Sequence, residues 1–320
     1  MPTKDEKSRP LLVAVWPGLG QVALTAGYYL MSRLHMHETK PLPAQDLFDV
    51  DQVDVENGLV QTARLPKTRI FLWKDPEKRQ DIVVLIGEAQ PPAGKLTFCE
   101  RLLDYADRLG VQEVFTFAGM VTDSALRSPS RVFGVATTEA EREKVRRSGA
   151  GILSAGHLAG MNGILLGVAA RRGLQGIGLL GEMPAVVTQV PFAKASAAVL
   201  EVFGRLTGIR LELQELEEYG RAIENQLAEA IETFERAVEP QQAEVPPEQA
   251  EPAEARDAAA KPDLSERDRW HVESLFSQAL RDRSKTFELK RELDRLGVFA
   301  LYEDRFLDLF RTPRDPEPGA

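Results

Sequence analysis

Four short runs limit what this chain can fold into: LLVAVWPG (Leu11–Gly18), DIVVLIG (Asp81–Gly87), VQEVFTFAGM (Val111–Met120) and GIGLLGE (Gly176–Glu182) are apolar through most of their length. A strand with one wet face alternates polar and apolar residues, whereas a strand covered on both faces need not. RIFLW (Arg69–Trp73) and RVFGVAT (Arg131–Thr137) add two further strand signals. Between the runs lie GQVALTAGYYLMSRL, KLTFCERLLDYADRLG, EAEREKVRR, LAGMNGILLGVAARRG and PFAKASAAVLEVFGRLTG, with helical spacing and with Gly110 and Gly173 as stops. Apolar strands separated by helices of ten or more residues predict a mostly parallel sheet covered on both faces. The expected class is therefore α/β: a three-layer, Rossmann-like sandwich over residues 11–210, in which ligands bind at the carboxyl ends of the strands.

The charge distribution excludes several functions. The chain has 320 residues and a net charge of −9; residues 211–320 carry 27 acidic and 15 basic groups, and residues 1–210 carry 22 and 25. A nearly neutral core with an acidic extension does not make the clustered basic footprint that phosphate backbones require, so no nucleic acid is expected as partner. One cysteine, Cys99, rules out a disulfide within the monomer and makes the cytoplasm the expected compartment. The charged start MPTKDEKSRP lacks a signal-peptide core, and LAGMNGILLGVAA falls well short of the about 20 residues a membrane span needs, so no membrane association is expected.

Beyond Gly208 the character changes. Residues 211–238 carry Leu213, Leu216 and Phe234 among many charges and read as a long amphipathic helix. Residues 239–263 are rich in Pro, Ala, Glu and Gln, with too little apolar surface to offset chain ordering, and read as a flexible linker. Residues 264–311 regain a helical period with Trp270, Leu275, Phe276 and Leu280 on one side, as in a helical hairpin, while residues 1–10 and 312–320 read as disordered ends.

The candidate sites gather at predicted strand ends. LIGEAQPP and LLGEMP both close an apolar run with Gly-Glu and then proline, so Glu88 and Glu182 are either a carboxylate pair or one structural solution used twice. PGLGQVA places Gly18, Gly20 and Ala23 at the G-x-G-x-x-A spacing that brings a pyrophosphate to a helix N-terminus. The acidic residue that should close a second strand about 20 residues on is replaced by LHMHETKPLPAQD, which favours a plain tight turn and no cofactor. His157 lies where a glycine-rich loop enters a helix, as either a general base or a packing residue. Gly119, Asp123 and Asn162 complete the strand-end set of possible ligand contacts. His35 and His37 have no third ligand at a metal spacing and read as surface residues; no metal is expected. Ser124, Ser128 and Ser154 lack the nucleophile-elbow setting, and Cys99 reads as a small core residue. Gly160, Gly163, Gly167 and Ala170 permit close backbone approach of their helix to a strand layer or to another helix.

The unit GILSAGHLAGMNGILLGVAARRGLQGIGLLGEMP resembles the signature of the proteasome assembly chaperone family, in its archaeal and bacterial branch (the proteasome assembly chaperone 2 type). The matching features are the turn at Gly156 and Gly160, the helix opening Asn162–Gly167, the basic pair and glycine at Arg171–Gly173, and the strand Ile177–Glu182. The PGLG turn, LIGEAQP and FAGM are similar too, so the resemblance spans about Leu11 to Gly208. It implies a sandwich related to nucleoside phosphorylases and peptidyl-tRNA hydrolase-like folds. It also implies self-association, commonly as trimers or other homo-oligomers, and protein binding rather than catalysis. The ending PEPGA departs from the tail of hydrophobic residue, tyrosine and one last residue with which members engage proteasome rings, so tail docking is not expected.

The expectation is a protein-binding scaffold acting as a homo-oligomer on an unknown, proteasome-related client. Its contact elements are Leu213, Leu216, Phe234, Trp270, Leu275 and Phe276. The alternative is a phosphorylase- or hydrolase-like enzyme using Glu88 and Glu182 with His157 as base, which needs the carboxylates within about 10 Å of one another.

Overall fold

The computed structural model describes residues 10–311, apart from 50–52, 54, 57, 62–63, 78 and 239–263. The expected disordered ends, over residues 1–9 and 312–320, and the expected linker lie outside the described residues. Two compact units are present, one built from residues up to Gly220 together with Phe310 and Arg311, the other from Arg221 to Leu309.

In the first unit an eight-stranded sheet has the order β2-β5-β6-β1-β7-β10-β8-β9. These strands are β1 (Leu11–Val15), β2 (His37–Glu38), β5 (Thr68–Trp73), β6 (Ile82–Gly87), β7 (Glu113–Thr122), β8 (Val132–Ala136), β9 (Gly151–Ile152) and β10 (Gln175–Pro184). A separate hairpin joins β3 (Val55–Glu56) to β4 (Leu59–Val60). The central strands β6, β1, β7 and β10 are parallel, while β5 joins β6 and β8 joins β10 in antiparallel register. This is the mostly parallel α/β sandwich that the apolar runs predict.

Helices cover both faces. α1 (Val22–Arg33) packs with α5 (Ala193–Thr207) on one side, and α2 (Lys95–Arg108) with α4 (Gly160–Arg171) on the other. The pleat sends alternate residues of β1 to opposite faces. Leu12, Ala14 and Trp16 therefore join Phe98, Leu102, Met161 and Leu165 in the α2/α4 layer. On the other face Phe203 of α5 meets Phe115 and Phe117 of β7 edge-on, with centroids 5.1 and 5.6 Å away. α3 (Glu139–Arg147) opens with a reciprocal cap in which the Thr138 hydroxyl bonds the Glu141 carboxylate and accepts the Glu141 N–H. α2 and α4 end at the two expected glycines, Gly110 and Gly173, both with positive φ.

The small-residue row on α4 does not act as one packing face. A Cβ on Gly163 would stand 2.2 Å from the Leu158 carbonyl oxygen, and one on Gly160 would stand 2.8 Å from Gln90 Oε1, yet around Gly167 there is open space. Close approach is thus confined to the first turn, where the preceding loop and Gln90 meet the helix.

α6 (Gln214–Val238) begins in the first unit, where Leu216 and Tyr219 are buried, and its residues from Arg221 belong to the second. The second unit also holds three helices where a two-helix hairpin was expected: α7 (Glu266–Arg281), α8 (Thr286–Arg295) and α9 (Phe299–Asp308). Gly297 turns the chain between the last two with φ of 69°. Among the described residues no helix is long and apolar enough to cross a membrane.

Candidate functional site: the carboxyl ends of the central strands

Glu88 and Glu182 turn out to be local clamps of the same design. Each follows the glycine at which its strand's antiparallel pairing ends, and each glycine pairs with the first residue of the antiparallel neighbour: Gly87 with Thr68, Gly181 with Val132. The glutamate N–H donates to the carbonyl one residue before that neighbour, Lys67 O at 3.1 Å for Glu88 and Arg131 O at 2.8 Å for Glu182. Its carboxylate accepts the N–H of the same residue, from Lys67 at 2.9 Å and from Arg131 at 3.3 Å. Each carboxylate also takes a guanidinium on both oxygens: Arg64 Nη2 at 3.0 and 2.9 Å on Glu88, Arg131 Nε and Nη2 at 2.8 and 2.6 Å on Glu182. One solution is used twice, and in both places it fastens the antiparallel flank to the parallel centre.

The two carboxylates do not form a pair. Two strands, β1 and β7, stand between β6 and β10, so three steps of about 4.8 Å put the strand ends roughly 14 Å apart. They share no bonding partner in the network described above. Glu182 is 2 % exposed. Its hydrogen bonds from Arg131 outweigh burial and, with the Thr122 hydroxyl at 2.8 Å, hold the carboxyl at about 2. An acid held that low is ionised at neutral pH and makes a poor proton donor.

The glycine turn after β1 is likewise filled by the protein itself. Gly20 N–H donates to Thr188 O at 2.9 Å, its carbonyl accepts Phe192 N–H at 2.8 Å, and Gln21 N–H closes onto Gly18 O. A Cβ on Gly20 would meet Met183 Cε at 2.5 Å, and one on Gly119 would meet Leu19 O and Met183 Sδ at 2.7 Å. The position a phosphate would take against the α1 N-terminus therefore holds the Met183 side chain, and G-x-G-x-x-A serves here as a close-packed turn. Gly18 itself is exposed.

The remaining sequence candidates are dispersed. Asn162 Nδ2 donates to Phe117 O at 2.9 Å and braces α4 to β7. His157 and Asp123 are exposed on separate loops, and His35 and His37 are exposed beside β2. Among the described residues no His, Cys, Asp or Glu group is arranged to hold a metal. Cys99 is fully buried and burial pushes its thiol up to about 12. The native protein is expected to leave this thiol unmodified by a disulfide reagent at pH 8 and to react at one equivalent once unfolded, which a colorimetric thiol count checks.

Two features escaped sequence reasoning. Gln90 joins three elements, with Nε2 donating to Pro17 O at 3.0 Å and Oε1 accepting Met161 N–H at 3.1 Å at the head of α4. The second is the β3-β4 hairpin, whose Val53, Val55, Leu59 and Val60 are 49–69 % exposed. The Asn57-Gly58 dipeptide between short apolar runs is its sequence signal. Leu19 and Val186, in the turns that follow β1 and β10, and Val121 near the end of β7 are also exposed. Of the expected contact residues, Trp270 is 75 % exposed, while Leu216, Leu275 and Phe276 are buried and Leu213 is half-buried. The Phe234 side chain lies outside the described residues.

A central parallel sheet with antiparallel flanks, covered by helices on both faces, defines a three-layer α/β protein. The chain belongs to the PAC2 family, whose model matches residues 12–231. It is 28 % identical over 247 residues to the uncharacterized protein MJ1210 of Methanocaldococcus jannaschii, covering 75 % of this chain and 89 % of that one. Its structure is similar to that of Pyrococcus furiosus PbaB, an archaeal proteasome activator, at 25 % identity and TM-score 0.60, over 71 % of this chain and 96 % of that one. The fold is also that of the Mycobacterium tuberculosis proteasome-assembly chaperone homologue Rv2125, at 22 % identity and TM-score 0.60, over 69 % and 95 % of the two chains.

Proposed function

We propose that this protein is a non-catalytic, cytoplasmic assembly scaffold that works as a homo-oligomer and binds a protein client related to the proteasome. The observation that carries this reading is a contrast between the strand ends and the β3-β4 hairpin. The Glu88 and Glu182 carboxylates are bonded to the protein's own backbone and arginines, while apolar side chains of the β3-β4 hairpin stand in solvent. Grouped exposed apolar residues mark protein contacts more often than ligand chemistry. Membership of the PAC2 family and the likeness to a proteasome activator support the class of client.

The hairpin is assigned to self-association and the C-terminal helices, with exposed Trp270, to the client. Replacing Val55 and Leu59 together by glutamate is expected to leave the core folded, because both side chains are exposed. It should weaken the oligomer at least tenfold, since charge placed in an apolar interface core is strongly disfavoured. Light scattering behind a sizing column reads the mass. An unchanged mass would remove the hairpin from the interface, and a monomeric parent protein would remove the homo-oligomer itself. The enzyme reading would regain ground only if a nucleoside or phosphate raised the melting temperature of the parent and not of a Glu182→Gln variant.

A further inference from the structure

A second surface, at the opposite edge of the sheet from β9, has a different character. A groove of about 1090 Å³ is lined by residues 38–43, 45 and 67–69 and by Arg311. Among its described lining residues Lys40, Lys67, Arg69 and Arg311 are cationic and Glu38 alone is anionic. Glu38 already accepts from Arg69 Nη1 at 3.3 Å and from Arg311 Nε at 3.0 Å. Lys40 is exposed and its ammonium has no ion-pair partner among the described residues. The groove is basic on a chain whose net charge is −9.

Its wall is an extended segment in which Pro41, Pro43 and Gln45 face out and Leu42 and Ala44 face in. Thr39 N–H and Leu42 N–H are both directed inward, onto Ile70 O and Thr68 O of β5, and the two prolines have no N–H to give. A partner therefore cannot add as a further strand here, since an edge carrying proline lacks the donors of a ladder. Arg69 is buried and held between Glu38 and Glu88, so recognition must come from the lysines, Arg311 and the proline faces. The groove is far larger than one inorganic anion and is walled by six consecutive residues, Glu38 to Pro43, which at about 3.3 Å each extend roughly 20 Å.

We infer that the groove between residues 38–45 and 67–69 binds an acidic, extended peptide segment of a partner protein through Lys40 and its neighbouring cations. Charge complementarity is the argument, and it makes the interaction salt-sensitive because the lysine heads lie at the surface. This inference is independent of the hairpin assignment: it predicts binding by the monomer and oligomer alike.

The test is fluorescence anisotropy on the full chain with a labelled eight-residue glutamate-rich peptide, an equal-length glutamine-rich peptide and inorganic phosphate as competitor. The glutamate peptide should bind, lose affinity severalfold between 50 and 200 mM salt (on the order of the change in screening length), and resist millimolar phosphate. Lys40→Glu should weaken it about tenfold. The matched reversal Arg127→Glu, on the exposed loop after β7, should leave it unchanged, and because Lys40 is exposed both variants should melt like the parent. Equal binding of the glutamine peptide, displacement by phosphate alone, an unaffected Lys40→Glu variant, or no binding to the parent would each overturn the inference.

Discussion

Replacing Glu182 by alanine should lower the stability of the core unit by about 2–3 kcal/mol, seen as a melting temperature depressed by roughly 5–10 °C. The side chain is buried and satisfies the Thr122 hydroxyl, the Arg131 amide and the Arg131 guanidinium at once. Arg131 is itself solvent-exposed, so the stranded cation is hydrated and costs little. The loss comes from the two orphaned donors and the space left behind. Thr122→Ala, which removes one of the three partners, should cost less than half as much.

The same carboxylate predicts a pH dependence with a definite sign. The folded protein holds Glu182 at about 2, below the ordinary value of 4.5, chiefly through the Arg131 hydrogen bonds. A depressed carboxyl stabilises the fold fully above the unfolded value and loses that contribution as pH falls through the window from about 4.5 to about 2. Glu182→Gln should therefore differ most from the parent at pH 6 and converge with it near pH 2. Denaturant titrations at four pH values decide this, and a constant difference across the window would show that the charge is not what stabilises the exit.

The second large effect concerns Phe310. Its ring is fully buried and meets Phe71 of β5 edge-on at 6.0 Å, and its carbonyl accepts the Glu38 N–H at 2.8 Å. Phe310→Ala should cost about 3–5 kcal/mol by transfer and cavity terms together. It should also loosen β2, a two-residue strand whose Glu38 amide donates to the Phe310 carbonyl. Hydrogen exchange separates the local from the global part: the Glu38 amide should lose protection before the amides of β6 do. If both lose protection in step, Phe310 stabilises the unit as a whole and not its edge.

The central sheet was legible because β1, β6, β7 and β10 are apolar on both faces, a pattern that little else in a chain of this composition produces. β2 and β9, two residues each, carry no periodicity to read. The repeated Gly-Glu was visible, but its meaning was not, because Lys67 and Arg131 become partners only once the antiparallel registers of β5 and β8 are known. Gln90 was hidden for the same reason, lying 73 and 71 residues from the groups it joins. Trp270 and the pair Leu275 and Phe276 looked alike as an apolar stripe, yet burial separates them: helical spacing gives a face without saying how wide the covered part of it is.

The twin exits also differ in how soon a folding chain can make them. The Glu88 clamp joins residues 21 apart, whereas the Glu182 clamp joins residues 51 apart. Closing the longer loop costs about 0.8 kcal/mol more in chain entropy, and it cannot close until β10 has been made and has found β7. One flank of the sheet can thus assemble as a local hairpin of β5 and β6 while the other waits for the last strand of the core. During that wait the edge of β8 that will meet β10 has open backbone groups, so the interval before the Arg131–Glu182 exit forms is when a new chain of this kind is most exposed to pairing with a neighbour.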